Sequence, residues 1–212
     1  MSSPQTDTPP ADAEATGAES TAAPADAASL WMVALRDVAI VAAGLSLFAA
    51  ADAWHTLTGS TLSALLSLVD GLLVGVLLTA LLHEWGHFTG ARLSGAAAPL
   101  RPAMGFLPLF DFDYGNNSAS QFQSMSVGGN VAHWLVVLVL LVSLPLSTIG
   151  QVAIASSAFG FAVFASSIEF PVIRNVLKGQ SGIEALSTIP KDFLRRNGSY
   201  GLAAAFLAFL VL

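Results

Sequence analysis

The chain has 212 residues, of which 54% are hydrophobic and 10% charged, a composition that belongs to membrane proteins rather than soluble domains. It has no cysteine, which excludes disulfides and thiolate metal sites and leaves His and carboxylates as the available metal ligands. The net charge is −6, and Asp7, Asp12, Glu14, Glu19 and Asp26 all precede the first Lys or Arg, so no basic face is offered to nucleic acid.

Residues 1–29 are Ala, Ser, Thr, Pro and acid, with little to bury, and read as a disordered, solubilising tail rather than a signal peptide. The remainder, 30–212, reads as one membrane-embedded domain. Residues 30–54 form a first membrane helix, with Arg36 and Asp37 near its start and His55 at its far interface. Residues 61–93 are almost continuously apolar, and one straight helix of that length would be about 50 Å long, more than a bilayer core of about 30 Å requires. Asp70-Gly71 is the expected break, with Asp70 as helix N-cap, an interfacial or re-entrant piece over 62–69 and the span itself over 71–93.

Between 107 and 114, Phe110, Phe112 and Tyr114 alternate with Asp111 and Asp113, the period of a strand with one apolar face. Gly115-Asn116-Asn117 has turn chemistry, and 118–127, with Phe122 and Met125, is expected to return as a second strand. Asp111 and Asp113 read as carboxylates on a solvated face, with metal ligation as the alternative. Gly128-Gly129-Asn130 opens a third helix over 131–147. A fourth, from about 151 to 174, carries the small residues of close helix packing, and Pro171 is expected to kink or unwind it. A polar, basic loop then leads to a short apolar segment, 200–212. The expected fold is an all-α polytopic membrane protein of four to five transmembrane helices, with a small membrane-associated β-hairpin between helices two and three.

All eight Lys and Arg fall on one side if these segments alternate, which by the positive-inside rule makes the N-terminus cytoplasmic in a multi-pass protein of the cell membrane. Near that side of the second helix lies His83-Glu84-Trp85-Gly86-His87. Two imidazoles four residues apart share one helix face, about 6 Å apart in rise, and can hold one Zn²⁺ per chain, with Glu84 placed to take a proton from a water at the metal. A helix end resting among lipid headgroups is the alternative. A catalytic zinc needs a third protein ligand. Glu169, a carboxylate in a small-residue helix, and His133, three residues after Asn130, are the candidates whose depth fits.

The pentad followed by Phe88-Thr89-Gly90-Ala91-Arg92 resembles the first motif of the site-2 protease family of intramembrane zinc metalloproteases, and the resemblance spans residues 62–180. Gly128-Gly129-Asn130 is similar to that family's G-P-x-x-N element, with the proline absent and the Asn two residues earlier, which implies that Asn130 holds the substrate backbone or the oxyanion. Ile168-Glu169-Phe170-Pro171 and Leu177-Lys178-Gly179 resemble the family's N-x-x-P and L-D-G segments, with Lys178 where the family has the Asp that is its third ligand. The resemblance implies a zinc metalloendopeptidase with Glu84 as general base, Zn²⁺ as cofactor and a transmembrane protein or peptide as substrate within the lipid bilayer. A regulatory relative without activity, or a small metal or proton transporter lined by His83, Glu84, His87, His133 and Glu169, is the alternative function.

Overall fold

The computed structural model describes residues 23–101 and 108–212, which form six helices: α1 (Ala23–Thr58), α2 (Thr61–Leu93), α3 (Ala119–Ser143), α4 (Ile149–Leu177), α5 (Gly182–Ser187) and α6 (Phe193–Val211). Four of them are long and apolar enough to cross a membrane: Leu30–Thr58 within α1, and all of α2, α3 and α4. The chain is therefore built as a membrane protein, and its helical framework is the one expected. α1 starts at Ala23, inside the stretch read as tail, whose residues 1–22 lie outside the described ones.

α2 is the central element and packs against α1, α3 and α4, while α6 packs against α4. α2 and its neighbours present Leu and Val outward, for example Leu73 of α2 and Val142 of α3, as surfaces facing hydrocarbon do. Inside, small residues let the backbones touch. A Cβ on Gly71 would run into the Gly150 carbonyl of α4, and one on Gly86 into the Gly128 carbonyl of α3.

That crossing corrects the expected break at Asp70-Gly71. α2 is continuous over 33 residues, Asp70 lies within it, and Ser60 occupies the N-cap position. Gly71 serves the contact with α4 instead of ending the helix. Pro171 likewise does not unwind α4, which runs past it to Leu177, and it has no N–H to give the Ser167 carbonyl.

The expected β-hairpin is not formed. Among the described residues there is no strand, only an isolated antiparallel bridge between Leu100 and Phe110. Asp111 N–H donates to the Pro99 carbonyl at 2.9 Å and Arg101 N–H to that of Leu109 at 3.1 Å, so 109–113 pairs with the residues before it, not after it. Residues 118–127 belong to α3. Ser118 and Gln121 form a reciprocal capping box, the Gln121 N–H donating to Ser118 Oγ at 3.3 Å and the Ser118 N–H to Gln121 Oε1 at 2.8 Å, and this local signal starts the helix ten residues or so before the apolar run. Residues 102–107 lie outside the described ones.

Candidate metal centre

Three helices converge on the pentad. α2 supplies His83, Glu84 and His87, α3 supplies Asn130 and His133, and α4 supplies Glu169. His83, His87 and Glu169 each offer one ligand atom, and these atoms lie within 4.8 Å of one another. Glu169 Oε1 is 3.2 Å from His83 Nε2 and 2.8 Å from His87 Nε2, and the two nitrogens are 3.1 Å apart. Ligands about 2.0–2.1 Å from a tetrahedral zinc stand about 3.3 Å from each other, so the triad fits a small cation after a slight expansion.

Each member is held from behind. His87 Nδ1–H donates to the Met125 carbonyl at 2.9 Å, which turns Nε2 toward the other two groups. Its ring lies flat against α3 at Gly129, where an added Cβ would fall 2.6 Å from Nδ1 and 2.7 Å from Nε2. Only a glycine admits the imidazole there. His83 Nδ1 faces His133 Nδ1 at 2.9 Å, and His133 Nε2 meets Ser166 Oγ at 3.0 Å. Asn130 Nδ2 donates to Glu169 Oε2 and, at 3.1 Å, to the Ser126 carbonyl.

Of the two candidates for third ligand, Glu169 is in the triad, while His133 stands behind His83 as its hydrogen-bond partner. Asp111 is paired with Arg101 at 2.6 Å on the surface. Asp113 closes its own turn, accepting from Gly115 N–H, Asn116 N–H and Asn116 Nδ2. These bonds, led by the Asn116 side chain, hold the Asp113 carboxyl below its usual range. Lys178 is exposed at the C-cap of α4.

Glu84 lines a cavity of about 340 Å³ together with His87 and Glu169. Its walls are largely aromatic and aliphatic, including Phe110, Phe112, Phe122, Met125 and Val172, with Arg101 and Asp111 also lining it. No family model, no curated protein and no solved structure matches this chain.

Two contributors, Ser166 and Trp134, are not singled out by sequence reasoning, and the partner of a third, Asp37, is not foreseen by it. Ser166 passes for a small packing residue, although it is three residues from Glu169 and so on the same face of α4. Trp134 donates its indole N–H to Ser166 Oγ at 3.0 Å. Asp37, buried on α1, accepts from Trp85 Nε1 at 2.9 Å and so ties the pentad's own tryptophan to the first helix.

Proposed function

We propose that the protein is an intramembrane zinc metalloprotease of the site-2 protease kind. The reading is carried by one observation: two imidazole nitrogens and a carboxylate oxygen from two helices meet within 3.2 Å beside a cavity that Glu84 also lines. Zinc held by His83, His87 and Glu169 would supply polarisation of the scissile carbonyl and acidification of a water. Glu84 would take a proton from a water as its oxygen bonds to the scissile carbonyl carbon, and give that proton to the amine nitrogen as the C–N bond breaks. Asn130 has both amide hydrogens engaged, by Glu169 and the Ser126 carbonyl, which favours orienting the third ligand over donating to an oxyanion.

The apolar cavity walls suit side chains of a membrane segment. Because backbone groups of such a segment are satisfied within its own helix, it must be locally unwound before its peptide bonds reach the site. The pentad and Glu169 lie in the C-terminal halves of α2 and α4, near Arg92 and Arg174, which fits a site toward the cytoplasmic face.

The test is cleavage of a helical transmembrane peptide in proteoliposomes by the purified protein. Cleavage that disappears on chelation and returns with about one zinc per chain is expected. Zinc bound at that ratio without cleavage of any helical peptide points to a binding relative, and absence of zinc binding refutes the metal reading.

A further inference from the structure

We propose that Ser166, acting through His133, is a positioning residue that decides which nitrogen of His83 carries the proton, and thereby keeps His83 Nε2 free to ligate. The proposal rests on the metal reading of His83, His87 and Glu169.

The order of protons follows from groups that have no choice. The Ser126 carbonyl and the Glu169 carboxylate only accept, so the Asn130 amide turns Nδ2 toward both. Asn130 Oδ1 then faces Ser166 Oγ at 3.2 Å and takes that hydroxyl's single hydrogen. Trp134 Nε1, which only donates, fills one lone pair of the same oxygen at 3.0 Å. With its hydrogen committed to Asn130, Ser166 Oγ meets His133 Nε2 as an acceptor, so His133 is protonated on Nε2. Neutral His133 is then bare at Nδ1, and across 2.9 Å it accepts from His83 Nδ1–H. His83 Nε2 is left bare and faces His87 Nε2 and Glu169 Oε1; that carboxylate oxygen, which only accepts, lies nearer His87 Nε2, at 2.8 Å against 3.2 Å, and draws its hydrogen from there.

The chain starts at the far side of Glu169 and ends on His83, so two ligands are set by one network. His133 is 0% exposed and Ser166 5%, which leaves no route for solvent to replace a missing link. Without the Ser166 hydroxyl, His133 Nε2 loses its acceptor and Asn130 Oδ1 its donor. His133 can then carry its proton on Nδ1, which drives the proton of His83 to Nε2, where it blocks ligation.

The experiment uses the full chain, histidine-labelled with nitrogen-15, in micelles and stripped of metal, with long-range nitrogen–proton correlation reading the tautomers. Wild-type His83 is expected to be protonated on Nδ1. Ser166→Ala should move His83 toward the Nε2-protonated form and weaken zinc binding, measured by chelator competition, about 10–100-fold. Ser166→Thr, which retains the hydroxyl, should restore both. Wild-type His83 protonated on Nε2, or Ser166→Ala with unchanged tautomer and zinc affinity, overturns the proposal. Because the tautomer is read without metal, a wild-type chain that binds no zinc refutes the metalloprotease reading while the nitrogen shifts still decide this one.

Discussion

Gly129→Ala tests the seating of His87 without touching any ligand. The new Cβ would fall 2.6 Å from His87 Nδ1 and 2.7 Å from Nε2, whereas carbon and nitrogen in comfortable contact are about 3.5 Å apart or more. The ring must retreat by roughly 1 Å, several times the tolerance of about 0.2 Å in a metal–ligand distance. The retreat also strains the 2.9 Å bond from His87 Nδ1 to the Met125 carbonyl. Overpacking of this kind costs about 1–3 kcal/mol, and losing the outer partner of a ligating His costs about 10–100-fold in metal affinity. Zinc affinity measured by equilibrium dialysis should therefore fall by about 100-fold or more, with helix content retained. Gly198→Ala, where an added Cβ meets nothing within 4 Å, is the matched control and should bind as wild type. Zinc bound by Gly129→Ala with wild-type affinity would refute the placement of His87 against α3.

Other outcomes follow from the same geometry. Glu169→Ala should lose zinc, whereas Asp111→Ala and Asp113→Ala should keep it, since one aspartate is paired with Arg101 and the other is engaged in its own turn; elemental analysis of the purified variants separates these. Trp85→Phe should lower the thermal midpoint while zinc content holds, because buried Asp37 loses a donor at 2.9 Å, a change of about 1–3 kcal/mol. The Glu184 carboxylate caps α5 by accepting from Ser181 N–H, which holds its carboxyl below the usual value. A depressed folded pKa means that its contribution is present above the unfolded value and is lost as pH falls through the folded one. The protection of α5 amides against exchange should accordingly fall on acidification below the usual carboxyl range, and Glu184→Gln should flatten that dependence.

The pentad was legible because a helix of fixed pitch turns a spacing of four into a shared face, and the four spans were legible because hydrocarbon demands long apolar runs. Glu169 was legible as a carboxylate in a membrane helix with no cation three or four residues away. The errors share a different cause. Gly71 looks like a helix break, yet its lack of a side chain serves the contact with Gly150, a partner far away in the chain. The alternation of Phe110, Asp111, Phe112 and Asp113 gave an extended arm, but its partner is 97–101, and the Ser118–Gln121 capping box outweighed the strand reading of the residues that follow. Ser166 escaped notice because a serine among alanines signals packing, and only the fold puts His133 and Asn130 against it.

The central claim is that Glu84 performs proton transfer beside a metal held by its neighbours, and the most direct measurement is cleavage of a transmembrane peptide by zinc-loaded Glu84→Gln. The change removes a base while leaving His83, His87 and Glu169 in place. Full zinc content with cleavage abolished is the predicted result. Cleavage at the wild-type rate would contradict the account.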